Sequence, residues 1–186
     1  MSDFDWVADA LDSGVPWVHS SGVVVDEVEA TRAVCRLPDR PELHNHVGGP
    51  HAAMIFGLAE TASGAVGLAA FGATAERAVP LVVTSTIHYR ALARGPLTAE
   101  AVLARPAAEV LAELDAGTRP EFTVDVTVRD GQGKDCATVT VVWTLKPVRD
   151  RASAPQGTSV ARRAHRDRRR AWTDRVAAGD VAGRAW

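Results

Sequence analysis

Glu60 is the residue of this sequence whose type and neighbours most directly suggest chemistry. It follows Leu58 and Ala59 in an apolar stretch. A carboxylate in apolar surroundings is costly to ionise, so its pKa should lie above the ordinary value. Such a carboxylate suits a general base or a nucleophile near neutral pH. The alternative role is structural: a glutamate that is paired with a base such as Arg90 or Arg94, or that faces solvent.

The segment around Glu60 is predicted to be a long buried helix from Pro50 to about Phe71. Its run AAMIFGLAETASGAVGLAAF lacks the alternation of a strand and is too long to be one. The run is apolar on nearly all sides, which is typical of a helix surrounded by protein. Gly49 followed by Pro50 marks the start, with proline expected at the first helical position.

The predicted start of this helix offers a second chemical element. His51, Ala52 and Ala53 would carry free backbone N–H groups in the first turn. Together with the positive end of the helix, these donors can hold an oxyanion or a thioester carbonyl. Asn45, in the preceding loop, could orient a water or a carbonyl, although a hydrogen bond within a turn is the commoner role of such a residue.

The spacing between these two elements constrains the assembly. Ala52 and Glu60 are eight residues apart, which is about 12 Å along a helix. One carbonyl group cannot easily contact both. Two antiparallel helices from two subunits could bring the start of one beside Glu60 of the other. The chemistry therefore predicts a symmetric dimer with two shared sites.

The remaining pattern predicts the elements that position this helix. A short N-terminal helix over residues 2–13, capped by Ser2 and ended by Gly14 and Pro16, comes first. Residues 22–37 are expected to form a long bent strand or a hairpin, and strands are expected over 81–93, over 97–105 and in a hairpin over 121–147 with the turn Gly131-Gln132-Gly133. This order predicts an α+β fold in which an antiparallel sheet wraps around the central helix.

Composition separates a body from a tail. One domain is expected over residues 1–148, and residues 149–186, with ten arginines and four aspartates, are expected to be a flexible basic tail. A docked tail helix or an anion-binding arm are the alternatives. The body is acidic, which argues against a broad nucleic-acid surface. Cys35 and Cys136 are expected to be buried free thiols, and no metal-ligand spacing is found.

The first residues lack the pattern of a secretory signal. No stretch of about 20 uninterrupted apolar residues suggests a membrane span. We therefore expect a cytoplasmic protein that has no membrane partner.

The string NHVGGPHAAMIFGLAE resembles the signature of hotdog-fold thioesterases, in particular the phenylacetic-acid-degradation type and a related uncharacterised hotdog branch. In that signature glycine follows asparagine by three residues, His-Gly-Gly begins three residues further, and Asp or Glu follows the histidine by nine. Asn45, Gly48, His51 and Glu60 fall in register. The later string STIHYRALARGPLTAEAVL also resembles the strand after the helix. The similarity extends over roughly residues 15–147.

The resemblance implies a hotdog fold and hydrolysis of an acyl-CoA or a similar acyl thioester, with no cofactor or metal required. Glu60 would be the general base or nucleophile. The backbone N–H of Ala52 or Ala53 would polarise the thioester carbonyl. Asn45 would hold a water or the carbonyl, and His51 would fix the loop.

The same resemblance implies further contacts. Gly48 and Thr84 would line the substrate pocket, and Arg90 and Arg94 would lie near the phosphates of coenzyme A. The assembly would be a homodimer, and whether two dimers form a homotetramer is left open.

Three alternatives to thioester hydrolysis remain at this point. The family's two glycines are Ala52 and Ala53 here, which favours a non-catalytic acyl-CoA-binding or regulatory module. The arginine-rich tail suggests nucleic-acid binding as a third, weaker hypothesis. A dehydratase fits less well, because no His-Asp or His-Glu dehydratase motif is found.

Overall fold

The computed structural model describes residues 3–148 and shows one antiparallel sheet wrapped around a long helix, which confirms the predicted α+β fold. The helices are α1 (Asp5–Gly14), α2 (Pro16–Ser21), α3 (Ala52–Phe71) and α4 (Ala107–Asp115). The strands are β1 (Val24–Val28), β2 (Arg32–Leu37), β3 (Ala78–Tyr89), β4 (Leu97–Leu103), β5 (Glu121–Arg129) and β6 (Asp135–Pro147).

The sheet has the order β1-β2-β4-β5-β6-β3, and all neighbouring strands are antiparallel. Its inner face contacts α3. In β5 the alternate residues Phe122, Val124, Val126 and Val128 are buried on that face, as strand periodicity requires. The hairpin alternative for residues 22–37 is right, because β1 pairs with β2.

Helix α3 supplies the centre of the core. Leu58, Ala59, Ala62 and Val66 are fully buried between the sheet and the N-terminal helices. By length and hydropathy alone, residues Ala52–Thr74 would suffice to cross a membrane, but 61% of that window is buried inside the fold. The same apolar composition serves a helix that is enclosed by protein.

The start of α3 differs from the prediction. Pro50 is not the first helical residue, because His51 has an extended backbone and is the N-cap of a helix that begins at Ala52. The His51 ring accepts a hydrogen bond from the Ala53 N–H. This ring takes the role that a serine or aspartate side chain usually fills.

The N-terminal region contains two helices where one was predicted. Helix α1 begins at Asp5, and the predicted Ser2 cap lies outside the described residues. Pro16 does not simply end a helix, because it is the first residue of α2. Gly22 ends α2 in the left-handed conformation, and the Arg40 guanidinium donates to the carbonyls of Ser20 and Ser21.

Other boundaries differ by a few residues. Strand β3 begins and ends earlier than predicted, and β4 ends at Leu103. Helix α4, which the sequence analysis did not predict, buries Val110 and Leu114. Both cysteines are free and buried, as expected, and burial raises the pKa of the Cys35 thiol to about 12. The predicted basic tail over residues 149–186 lies outside the described residues.

Candidate active site

Glu60 lies in the middle of α3 on its more open face. Its side chain is partly buried, and burial raises its pKa above the ordinary value. Within residues 3–148 its carboxylate has no hydrogen bond and no ion pair, so it is not the partner of Arg90 or Arg94. The group is therefore free to accept a proton or to contact a ligand.

Asn45 organises the loop that leads into α3. Its side-chain oxygen accepts hydrogen bonds from the backbone N–H groups of Val47 and Gly49, at 3.0 Å and 3.4 Å. Its side-chain nitrogen donates to the Pro50 carbonyl at 3.3 Å. The oxygen thus uses both of its lone pairs inside the loop, and one N–H of the amide remains for a water or a substrate.

Two glycines give this loop its shape. Gly48 has a φ of 78°, in the left-handed region that glycine adopts without strain. A Cβ on Gly49 would lie 2.7 Å from the Ala93 carbonyl oxygen, so only glycine allows this approach. Beside the loop is a cavity of about 220 Å³, whose lining includes Asn45, Gly48 and Ala52.

The first turn of α3 offers fewer free donors than the sequence suggested. The Ala53 N–H is taken by the His51 Nδ1 atom at 3.0 Å. The His51 N–H donates to the Leu43 carbonyl at 2.8 Å, which ties the helix start to the preceding loop. The Ala52 N–H has no partner among the residues that the structure describes, and Ala52 lines the cavity. Of the two predicted carbonyl donors, Ala52 is the available one.

A β-bulge decides which residues of β3 face α3. Val82 pairs with Trp143 and Thr84 pairs with Val142, so Val83 is an extra residue in the strand. Trp143 faces α3, because its indole N–H donates to the Ser63 hydroxyl at 3.0 Å. Since neighbours along β6 point to opposite faces, Thr84 points away from the helix. The structure therefore does not bring Thr84 to Glu60.

Ser85 is the residue that the bulge turns towards α3. It pairs with the fully buried Val141, and its buried hydroxyl has no hydrogen-bond partner within residues 3–148. Strand β3 is anchored to the helix start, because the Tyr89 hydroxyl donates to the Ala52 carbonyl at 3.1 Å. From that anchor, Ser85 is about 13 Å along the strand and Glu60 is about 12 Å along the helix. Measured along each element from that anchor, Ser85 and Glu60 are thus at similar distances.

Arg90 and Arg94 are exposed at the end of β3 and in the loop after it. The Arg90 guanidinium donates to the Thr138 hydroxyl at 3.3 Å, and neither arginine pairs with a carboxylate in the described part of the chain. Arg94 lines the cavity beside the start of α3. Two such cations could hold phosphate groups.

Asp130 fixes the loop that carries Arg94, a role that no pattern in the sequence predicted. Its carboxylate accepts hydrogen bonds from the backbone N–H groups of Gln132, Lys134 and Arg94. Burial would raise the pKa of Asp130, but these three donors outweigh burial and lower it. No group of histidines, cysteines and carboxylates in residues 3–148 could hold a metal ion.

Comparison with known proteins shows which family this chain belongs to. Residues 6–145 match the model of a family described as a domain of unknown function, DUF4442. The chain belongs to the DUF4442 family. No curated protein matches this DUF4442 chain.

Solved structures resemble this DUF4442 chain at low sequence identity. A Pseudomonas aeruginosa protein of unknown function, described as a probable thioesterase, is 23% identical with a TM-score of 0.69, over 79% of this chain and 97% of that one. A Silicibacter pomeroyi thioesterase-family protein is 19% identical with a TM-score of 0.62, over 77% and 99%. The E. coli PaaI protein, from the phenylacetic acid degradation operon, is 15% identical with a TM-score of 0.62, over 77% and 96%.

These similarities confirm the predicted hotdog fold and the resemblance to thioesterases at the level of the fold. The DUF4442 chain shares with them a sheet that encloses one long helix. The chemistry of its site depends on its own residues.

Proposed function

We propose that this DUF4442 protein hydrolyses acyl thioesters, with acyl-CoA as the substrate and with Glu60 as the general base. The observation that carries the proposal is the unpaired, partly buried carboxylate on the core helix of a hotdog fold, whose pKa is raised by burial. Such a group costs stability and has no structural partner in residues 3–148. We therefore infer that the Glu60 carboxylate is present because it takes part in a reaction.

The proposed reaction uses water as the nucleophile. Glu60 removes a proton from a water that the free N–H of Asn45 helps to orient, and the water oxygen attacks the thioester carbonyl carbon. The carbonyl oxygen becomes an oxyanion, held by the backbone N–H of Ala52 of the partner subunit. The C–S bond then breaks, and the proton passes from Glu60 to the sulfur. The products are the carboxylic acid and the free thiol.

The partner subunit is required by distance. Within one chain, Ala52 and Glu60 are separated by about 12 Å along α3. We propose a homodimer in which the two β3 strands pair at the open edge of the sheet and bring each α3 beside the other. Each of the two sites would combine Glu60 of one chain with the helix start of the other.

Two further roles complete the proposal. The Ser85 hydroxyl would bond to the Glu60 carboxylate or to the attacking water, since the register of β3 turns it towards α3 and it has no other partner in residues 3–148. Arg90 and Arg94 would bind the phosphates of coenzyme A outside the cavity, because they are cationic, exposed and unpaired with carboxylates.

The decisive experiment replaces Glu60 by glutamine and measures hydrolysis of a panel of acyl-CoA thioesters. We expect kcat to fall by about 10²- to 10⁴-fold, the usual contribution of a general base. Binding of a non-hydrolysable acyl-CoA thioether should change little, because the amide keeps the size of the side chain. Glu76→Gln, at an exposed residue, is the matched control and should keep full activity. A Glu60→Gln protein with wild-type kcat would disprove the proposal.

One observation favours a second candidate, a non-catalytic acyl-CoA-binding module. The His51 ring occupies the Ala53 N–H, so of the first-turn N–H groups of α3 only that of Ala52 lacks a partner in residues 3–148. Calorimetry separates the two candidates: binding of acyl-CoA with no hydrolysis above background, in wild type and in Glu60→Gln alike, would favour the binding module.

A further inference from the structure

Two tryptophans lie on either side of Glu60 along α3, and each contacts a glycine on the same helical face. Gly57 is three residues before Glu60 and Gly64 is four residues after it, so all three positions are neighbours on the helix surface. A Cβ on Gly57 would lie 2.4 Å from the Trp17 ring, and a Cβ on Gly64 would lie 3.8 Å from the Trp143 ring. An aromatic ring thus covers the helix surface about one turn before Glu60 and another covers it about one turn after.

The two rings are held differently. Trp143 belongs to β6, inside the sheet, and its N–H donates to the Ser63 hydroxyl, which in turn donates to the Glu60 carbonyl. Trp17 belongs to the six-residue helix α2 and is partly buried. Arg40 bonds the last carbonyls of α2 and so fixes that helix on the domain. The Trp143 side chain is therefore part of the sheet, whereas the Trp17 side chain comes from the N-terminal helix α2. Both are called walls below, because each would limit the space beside Glu60.

We propose that Trp17 is a specificity-determining residue that limits the acyl group bound beside Glu60 to a short or an aromatic one. This inference rests on the proposed function. Gly57 and Gly64 are seven residues apart, so the walls that stand on them are separated by about 10 Å along the helix. That span admits a short chain or one aromatic ring, which would also stack favourably on an indole. A long fatty-acyl chain would meet Trp17.

The close Trp17–Gly57 contact explains why glycine occurs at this position of a helix. Glycine costs about 1 kcal/mol relative to alanine inside a helix. An alanine methyl would overlap the Trp17 ring at 2.4 Å, so the position is adapted to the indole. The contact thus fixes the Trp17 ring one helical turn from the carboxylate.

The test compares acyl-chain preference in Trp17→Ala and in wild type. For each protein, kcat/KM is measured with acetyl-, hexanoyl-, decanoyl-, palmitoyl-, benzoyl- and phenylacetyl-CoA. We expect the decanoyl-to-phenylacetyl ratio of kcat/KM to rise at least about 10-fold in Trp17→Ala, as for pockets that differ by one or more methylene groups. Trp17→Phe should give an intermediate ratio.

Two controls separate a pocket wall from a loss of packing. Trp6→Ala removes a tryptophan of the neighbouring helix α1 that packs against Ala10 and Ala75, and it should leave the ratio unchanged. Adding Gly57→Val to Trp17→Ala refills the space with a side chain from α3. This double variant should return the ratio towards the wild-type value, which a merely destabilising effect would not do.

The same series is measured for binding, with non-hydrolysable thioether analogues and the Glu60→Gln protein. If hydrolysis is absent but Trp17→Ala shifts the binding preference to long chains, the inference stands and the proposed function fails. If Trp17→Ala is folded and prefers the same acyl-chain lengths as wild type, in hydrolysis or in binding, this inference alone fails. If no acyl-CoA binds to wild type, both fail.

Discussion

At the scale of single residues, Glu60 is held in surroundings that oppose its charged form. Burial raises its pKa, and no base or hydrogen-bond donor in residues 3–148 offsets that cost. Between the ordinary pKa and the raised one, the folded chain therefore binds more protons at Glu60 than the unfolded chain does. The free energy of unfolding falls as pH rises through this window. The protein gives up stability at neutral pH for a base that can take a proton from water.

This sign gives a prediction for stability that is independent of activity. Glu60→Gln removes the charge, so we expect it to have a larger free energy of unfolding than wild type at about pH 8, where Glu60 must be ionised in the unfolded chain. The difference should shrink towards about pH 4, where protonation removes the penalty. Urea denaturation of both proteins at several pH values measures it.

The matched variant Glu76→Gln, at an exposed residue, should show no such pH-dependent difference. A Glu60→Gln protein that is less stable than wild type at about pH 8 would mean that the ionised carboxylate has a favourable partner and is not a free base.

At the scale of elements, the sequence was most informative where hydrophobic periodicity extends over many residues. The apolar run of α3 and the alternation in β5 are confirmed, because burial on all sides and burial on one face leave different patterns. Helix α2, of six residues, is too short to show a period, and Pro16 is as typical of a helix start as of a helix end. The His51 cap uses a ring nitrogen, which is not among the usual N-cap signals.

The bulge in β3 is the element-scale feature that no local pattern predicts. Because Val83 is an extra residue only in relation to β6, the sequence of β3 alone does not tell which of Thr84 and Ser85 faces the helix. Thr84 was predicted to line the substrate pocket, whereas the register turns Ser85 towards the helix. A candidate for this role could be found from sequence only by pairing the two strands first.

Paired substitutions test this register. Ser85→Ala should lower kcat by about 10²-fold, at the lower end of what one positioned hydrogen bond contributes. It should also leave stability equal or higher, because it removes a buried hydroxyl that has no partner. Thr84→Ala, on the outer face, should change kcat less than about 2-fold. Acyl-CoA kinetics and urea denaturation of both variants give the answer, and the opposite ranking of kcat would reject the assignment.

At the scale of the whole molecule, the two edges of the sheet differ in chemistry. Strand β1 is short and carries Asp26 and Glu27, which form ion pairs with arginines of β2. Strand β3 has 12 residues and no lysine, arginine, aspartate or glutamate. Leu81, Val82 and Val83 are 41%, 41% and 46% exposed. A long apolar edge without charges is suited to pairing with another strand, whereas charged edges resist it.

A dimer of this kind makes a prediction that one subunit cannot fulfil. Ala52→Pro removes the backbone N–H proposed to hold the oxyanion. Proline is well tolerated at this first helical position, and His51 already has the extended backbone that a following proline requires. We expect Ala52→Pro and Glu60→Gln each to be folded and nearly inactive. In a mixed dimer, one site combines both defects and the other combines Glu60 and Ala52 in their native form.

The two inactive proteins are mixed in equal amounts and partially denatured so that they exchange subunits. Half of the resulting dimers are mixed, and one of the two sites in each mixed dimer is intact. We therefore expect about a quarter of wild-type activity to return. Adding Val83→Arg to both chains should abolish this recovery and yield particles of 19.7 kDa in sedimentation, because a charge on the apolar edge opposes pairing. Val102→Arg, at a residue of similar exposure on the central strand β4, should leave the recovery intact. If the mixture stays inactive while sedimentation shows mixed dimers, Glu60 and Ala52 do not serve one site from two chains.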